Sequence, residues 1–435
     1  MRRVGLLLLA LLLPVAALAR NAAPDSAAWD PADAPAWTLR GTQEPLDVRR
    51  GGAPWLVRQV AEVPATAFRL VTAPPVALIR WDERSGFSRR VAGFFTRDVA
   101  PINTTVAAYL GYETGFGMTV LGLRVHSTDW YGTGLDNRFR FSYLNTRKNI
   151  VQLEFGAPPG APAWSTRTRF QRSPGRHYYP AADADDDQEY DFQLLLNEAQ
   201  LRLPLQGPLD AALTLHSRAT RLRPEHDDDP DERLAPALAE RAASNHYLGV
   251  EAELRRDSRD AGEMASRGSL LRAAAGWNAA RAPGDADYRH LTFEYQLHRP
   301  LFRDRILAAR VFYEAVDPDD AARLPFTELR ALGGRYDLRG YPRDRFRDLH
   351  LLALALEYRY PVTKMFQGRL FADWGAAAPR TRDLDLAELH ASAGLGLALL
   401  LDDDVFVLQY ARGAEGGHVF AGTTTPFGYQ SRRKR

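Results

Sequence analysis

The chain has no cysteine in its 435 residues. It therefore carries no disulfide, no thiolate metal ligand and no thiol nucleophile. Neither charge sign dominates: 56 basic residues stand against 54 acidic ones, for a formal net charge of +2. That balance gives no reason to expect nucleic acid as a partner. Beyond residue 20 there is no run of about eighteen apolar residues, so no transmembrane helix is predicted. The ten histidines include no His-Glu-x-x-His pair and no paired ligand spacing, and no Gly-x-Ser-x-Gly elbow is present. The expectation is a protein that is not an enzyme and needs neither a metal nor a cofactor.

What is present begins with an export signal. Arg2 and Arg3 precede the apolar run Val4–Leu13, and Ala17-Leu18-Ala19 is a small-x-small cleavage site. Residues 1–19 read as a secretory signal peptide, too short to span a bilayer as a helix. With no cysteine at the cleavage site, a lipid anchor there is excluded. Residues 20–103 read as a periplasmic linker: Asn21–Pro54 is rich in Ala, Pro and Asp. Pro54–Val71 leaves two readings open. Trp55, Leu56, Val60 and Phe68 suit a short amphipathic helix interrupted by Pro64, and plain linker suits the prolines equally.

From about Thr104 the hydrophobic period becomes two. Phe139, Phe141 and Tyr143 alternate with Arg138, Arg140 and Ser142; Leu291, Phe293, Tyr295 and Leu297 alternate with His290, Thr292, Glu294 and Gln296. Leu352, Leu354, Leu356, Tyr358 and Tyr360 alternate with Ala353, Ala355, Glu357 and Arg359. Charged residues recur on the polar face of strand after strand, which a packed sandwich core would not tolerate but a barrel lumen does. About sixteen segments are predicted: 104–113, 115–127, 136–146, 149–156, 163–172, 189–204, 208–222, 245–256, 267–278, 288–298, 303–315, 349–361, 367–374, 389–401, 404–412 and 417–427. Most are near the ~9–11 residues that a tilted membrane strand needs.

The connections carry a second signal. Ser173–Gln188, Arg223–Ser244, Val316–Asp348 and Gly375–Glu388 are long, and all fall on one side of the sheet. Gln206-Gly207, His298–Phe302 and Asp402-Asp403 are short, and fall on the other. Long outer loops over short periplasmic turns mark an outer-membrane barrel; a soluble β-sandwich would have no such bias. The predicted class is all-β: a transmembrane antiparallel β-barrel over residues 104–427.

One motif goes further. Leu332-Gly333-Gly334-Arg335-Tyr336-Asp337-Leu338-Arg339-Gly340-Tyr341 lies in the sixth outward loop, between the eleventh and twelfth strands. Glu357 follows on the twelfth strand, and Phe371-Ala372-Asp373-Trp374-Gly375 on the thirteenth. An arginine in a Gly-rich loop followed by acids on the next two strands resembles the BamA/TamA-like superfamily of outer-membrane barrels, also called bacterial surface antigens. The resemblance implies a sixth loop folded back into the lumen, with Arg339 paired to Glu357 and Asp373. Strand parity independently puts Glu357 on the polar face. Arginine suits the role because its rigid fork of donors can serve two carboxylates at once.

Two further stretches extend the resemblance. Leu254-Arg255-Arg256-Asp257-Ser258-Arg259-Asp260 is similar to the family's periplasmic turn motif, through Asp257, Arg259 and Asp260; a solvated turn with an Asp cap accounts for it as well. Tyr112-Glu113-Thr114-Gly115-Phe116-Gly117 resembles the first barrel hairpin. Family barrels close on a strand with a terminal aromatic read by the assembly machinery. Phe427 fits that position, although residues 428–435 add a basic tail. Relatives usually carry polypeptide-transport-associated (POTRA) domains before the barrel; the prolines of residues 20–103 leave no room for their helices, so the chain is read as lacking them.

The acidic runs Asp183, Asp185–Asp187 and Asp227–Asp229, Asp231, Glu232 fall in predicted outer loops, where solvation or divalent-cation contact with lipopolysaccharide would account for them. His350 reads as a lumen-wall residue. Family resemblance implies insertion of proteins into, or translocation across, the bacterial outer membrane, through a weak seam between first and last strands. Expected partners are outer-membrane lipids, lipopolysaccharide and unfolded outer-membrane protein clients. The alternative is a passive pore or structural surface barrel without assembly activity. A channel needs a continuous water path; an insertase needs a seam that moves.

Overall fold

A computed structural model describes residues 96–99, 104–113, 118–127, 136–143, 149–156, 163–179, 188–223, 244–260, 264–301, 304–362, 366–400, 405–422 and 427. The chain divides into two units, Met1–Ser85 and Gly86–Arg435, and every described residue belongs to the second. The export signal, the linker helix, both acidic runs and the basic tail lie outside the described residues.

The described fold is an antiparallel β-barrel. A four-residue strand β1 (Thr96–Val99) precedes β2 (Thr104–Glu113), β3 (Met118–Ser127), β4 (Asp136–Tyr143), β5 (Asn149–Gly156), β6 (Ala163–Tyr178), β7 (Gln188–Pro204), β8 (Leu209–Arg223), β9 (Ser244–Asp257), β10 (Gly268–Ala280), β11 (Tyr288–Pro300) and β12 (Ile306–Pro318). Within the next connection lie two short strands, β13 (Ala331–Leu332) and β14 (Phe346–Arg347), which pair with each other. The wall resumes with β15 (His350–Pro361), β16 (Phe366–Ala378), β17 (His390–Leu400), β18 (Val405–Gly413) and β19 (Gly416–Gly422).

Sixteen wall strands, β2–β12 and β15–β19, correspond to the sixteen predicted segments. Three features differ from expectation. β1 is additional, because four residues with one apolar side chain give no periodic signal. β13 and β14 are too short to read. The last strand spans Gly416–Gly422 among the described residues, and Phe427 is not a strand residue.

The alternation of faces explains why these sequences build this wall. On β11, Tyr288, His290, Thr292, Glu294, Gln296 and His298 are buried, whereas Leu291 is 47% exposed. Leu213, Leu215, Trp277, Leu356, Leu370, Leu395, Leu408 and Val419 are likewise exposed, while Arg272, Arg310, Glu314, Arg359 and Arg369 are buried. A water-soluble protein would reverse this arrangement. Apolar side chains outward and charged ones inward is what hydrocarbon outside and a polar lumen inside require. Among the described residues no helix is long and apolar enough to cross a membrane.

Neighbouring strands pair in register from β1 through to β19, with β12 pairing directly to β15 across the long loop. β2 pairs with β1 and β3, and β19 pairs with β18. β19 also approaches β2, but the described residues carry no ladder register between them.

Candidate functional site

The connection between β12 and β15 turns back into the barrel. Its hairpin β13–β14 brings Leu332 opposite Phe346. Leu332, Leu338, Tyr341 and Phe346 then pack with Phe312, Leu351 and Ala353 of the wall into one apolar cluster. The tip is held by backbone bonds: the Gly334 N–H donates to the Tyr341 carbonyl at 3.0 Å, and the Tyr341 N–H to the Leu338 carbonyl at 3.2 Å. Gly333 takes φ +116°, and a Cβ there would collide with the Pro342 carbonyl, so a side chain is excluded on both counts.

At the centre sits Arg339, fully buried. Its Nε donates to Asp373 Oδ2 at 2.9 Å and its Nη2 to Asp373 Oδ1 at 2.7 Å. Its backbone N–H reaches the same Oδ2 at 3.2 Å, and its Nη1 donates to Glu357 Oε2 at 3.0 Å. The guanidinium carbon also lies 3.4 Å from the centroid of the Phe371 ring, close enough for a cation–π contact. The structure thus brings Arg339, Glu357, Phe371 and Asp373 together. Strand alternation does the placing: Glu357 sits on the inward face of β15, and Phe371 and Asp373 share the inward face of β16.

Two backbone approaches complete the contact. A Cβ on Gly340 would come within 2.5 Å of both the Gly413 nitrogen and the Ser392 Cβ, so the loop rests directly on β17 and β18. On Gly375 a Cβ would meet a Leu332 methyl at 3.0 Å. Tyr341 donates its hydroxyl to the Ala391 carbonyl at 3.4 Å and packs edge-on against Phe346 and His390.

Sequence reading missed much of the electrostatic surround. Glu357 also takes Arg359 Nε at 2.7 Å and forms an ion pair with Arg369 at 3.2 Å. Three buried guanidiniums thus gather about two buried carboxylates. Parity held the signal, since Arg359 lies two residues from Glu357 and Arg369 four from Asp373, each on the same face. Asp337, two residues before Arg339, accepts from Arg310 Nη1 at 3.2 Å, and Arg310 Nε donates to Glu294 at 2.7 Å. Elsewhere the loop is tied by Arg218 and Tyr288 to Glu328, by Arg330 to Glu314, by Arg345 to Glu415 and by Arg176 to Asp344. These partners are far apart in sequence, and spacing gives no clue to them.

Asp344 lies in the loop outside the strands, with φ +60°. Burial pushes its carboxyl up, but Arg343, Arg176 and Arg347 more than offset this and hold it below the usual carboxylate range.

The turn motif and the terminal aromatic meet at the short-turn end of the lumen. Arg259 forms a fork with Asp257, at 2.9 Å from Nε and 2.9 Å from Nη2, and its Nη1 reaches Gln296 at 3.1 Å and the Phe427 carbonyl at 3.2 Å. Asp260 accepts from the backbone of Ser266 and Arg267 and closes the turn. Phe427 is fully buried between Ala308 and Ala355, edge-on to His298 at 5.4 Å and 5.0 Å from the Arg359 guanidinium. It is therefore a lumen residue and not the end of the last strand. The physical reason is a slot between Ala308 and Ala355, beside the Arg259 guanidinium that donates to the Phe427 carbonyl.

His350 departs from expectation too. It differs in parity from Glu357 and lies on the other face of β15, hydrogen-bonded with Thr381 at 3.1 Å and Tyr313 at 3.3 Å. For the first-hairpin motif, residues 114–117 lie outside the described residues.

Chemically, the site is a set of buried acid–guanidinium ion pairs that tie the loop to β15 and β16.

Comparison with known proteins accords with this geometry. BamA from Haemophilus ducreyi lacking POTRA domains 1-3 superposes with a TM-score of 0.58 at 13% identity, over 73% of this chain and 69% of that one. CdiB from Escherichia coli superposes with a TM-score of 0.52 at 12% identity, over 74% of this chain and 62% of that one. At such identities these likenesses concern the fold. No curated protein sequence matches the chain. The Omp85 superfamily domain, however, matches residues 129–412. That span takes in the loop, its two acidic anchors and most of the wall they grip, and the chain belongs to the Omp85 superfamily.

Proposed function

We propose that this chain inserts protein clients into, or translocates them across, the bacterial outer membrane, working through the seam between β2 and β19 while the sixth loop keeps the lumen shut. The observation that carries the reading is the ladder itself, which runs in register around the wall and lacks a register only at β19 and β2 among the described residues. Unpaired N–H and C=O groups on such edges are a template for an incoming extended strand. β19 begins with Gly416 and Gly417, which have no side chains to strengthen pairing there. The lock on β15 and β16 holds the wall rigid away from the seam. Buried loop residues and arginines crowding the lumen weigh against a passive pore. The chain acts without catalytic chemistry, amid outer-membrane lipid and lipopolysaccharide, on unfolded outer-membrane proteins.

The native chain has no cysteine, so engineered pairs report cleanly. Tyr109→Cys, Leu110→Cys or Gly111→Cys in β2, clear of the residues that β1 pairs with, combined in turn with His418→Cys or Val419→Cys in β19, finds the pair that joins the seam. Oxidation is expected to abolish folding of a co-incubated barrel protein in proteoliposomes, and reduction to restore it. Full activity in the oxidised protein would eliminate the seam reading. Large, stable conductance in planar bilayers with no insertion activity would instead establish the pore.

A further inference from the structure

The edge of β2 that faces the seam is not wholly bare. β1 pairs along it antiparallel, with Thr96 opposite Ala107, Arg97 opposite Val106, Asp98 opposite Thr105 and Val99 opposite Thr104. Since β3 holds the other edge of β2, β1 sits on the side where a closed barrel would place its last strand. We infer that the Thr104–Ala107 edge is an acceptor site for extended polypeptide, occupied in cis by β1, so that a strand arriving in trans must displace β1 to pair there.

Lengths and directions support the assignment. The ten residues of β2 span about 33 Å and the seven of β19 about 23 Å. β19 follows the tight connection from Gly413 to Gly416 at the long-loop end and stops at Gly422. Its seven described residues do not run the full edge of the ten in β2. The shortfall lies at the short-turn end, where β1 contributes its four residues, about 13 Å. Five residues past Gly422, Phe427 is buried in the lumen with its carbonyl on Arg259. Phe427 is thus held in the interior and does not itself pair with β2. β18 bears the same mark: Val405 and Phe406 pair with Leu400 and Leu399 of β17 but lie beyond the β19 register.

β1 is also built to let go. Four residues make few ladder bonds, and Asp98 at the middle of β1 is among the residues depleted in strands. A longer client strand matching all ten residues of β2 gains more backbone bonds than β1 gives up. The cover therefore shields an aggregation-prone edge in the resting state and yields to the correct partner. Only the consequence for clients rests on the insertion reading above; cis occupancy of the edge stands by itself.

The test uses the full chain in lipid. Facing pairs in an antiparallel ladder alternate between hydrogen-bonded and closer, non-hydrogen-bonded geometry. Of Arg97→Cys with Val106→Cys and Asp98→Cys with Thr105→Cys, one pair is therefore suited to a disulfide. At least one is expected to cross-link on mild oxidation without any client. In the unmodified protein, amide exchange at Thr104–Ala107 is expected to be slowed. Successive residues send their N–H groups to opposite sides, so the double variant Arg97→Pro/Asp98→Pro removes a ladder bond whichever side faces β2. Exchange at those amides should then rise about tenfold.

Insertion of a co-incubated barrel protein should slow in the oxidised cysteine protein and quicken in the double-proline variant. Failure of both pairs to cross-link, or identical exchange in wild type and the proline variant, would overturn cis occupancy. Cross-linking with wild-type insertion rates in both variants would overturn competition with clients. If no form inserts protein at all, the proposed function fails, while cross-linking and exchange still decide whether β1 holds the edge.

Discussion

Arg339 and Asp373 meet side-on through two parallel hydrogen bonds of 2.9 and 2.7 Å, and the Arg339 backbone N–H adds a third contact to the same carboxylate. The pair is fully buried on both sides, so removing either partner leaves a secluded charge unmatched, at a cost of about 3–5 kcal/mol. Arg339→Ala and Asp373→Ala should both lower the temperature at which the barrel loses its heat-modifiable gel migration. Arg339→Lys should not restore it, because an ammonium cannot fork across two oxygens while also reaching Glu357. Unchanged migration in both alanine variants would remove the lock argument.

Gly340 probes the contact between loop and wall. An added methyl lands 2.5 Å from the Gly413 nitrogen and the Ser392 Cβ, and two of its three nearest neighbours are strand backbone, which cannot rotate away. Gly340→Ala should cost about 1–3 kcal/mol through overpacking and increase protease cleavage within 319–349. Cleavage at the wild-type rate would mean that the loop does not rest on β17 and β18.

Asp344 supplies a pH test. Its folded carboxyl is held low by Arg343, Arg176 and Arg347 against the opposing effect of burial. A depressed folded value means that the stabilisation is fully present above the ordinary carboxylate value of about 4. It is lost as pH falls through the lowered value. Amide exchange in the loop should therefore be flat from neutral pH to about 4 after correction for intrinsic rates, and loosen below it. Asp344→Asn should abolish the acid-dependent step while tolerating the positive φ. An acid transition of equal size in Asp344→Asn would assign it to another group.

Phe427 should behave as a core residue. Phe427→Ala empties a slot lined by Ala308, Ala355, His298 and Arg359, and a buried Phe→Ala change costs about 3–5 kcal/mol. Arg259→Ala removes the bond to its carbonyl and should lower thermal stability as well, by less. Thermal stability equal to wild type in both variants would place Phe427 outside the lumen.

Period-two patterning in the sequence by itself determined the wall. Leu356 and Tyr358 beside Glu357 and Arg359 can satisfy only a surface with hydrocarbon on one side and polar groups on the other. The sixteen strands, the bias in loop length and the facing of Glu357 follow from that alternation, because side-chain period and face are local properties of the backbone. That the loop turns inward, with Arg339 meeting Glu357 and Asp373, was implied by the resemblance of its motif to a barrel family, and the rigid fork of an arginine suits that role.

Tertiary structure alone decided everything that joins distant parts of the chain. That Asp337 meets Arg310 and Glu294, that Arg359 and Arg369 crowd Glu357, and that Phe427 turns inward to Arg259 depend on barrel curvature and on how far the loop descends. β1 was missed for a different reason: it pairs with the next strand, Val99 opposite Thr104, but its four residues are too few to show a period. Local sequence fixes which way a side chain points; only the curvature of the wall and the path of the loop fix what it meets.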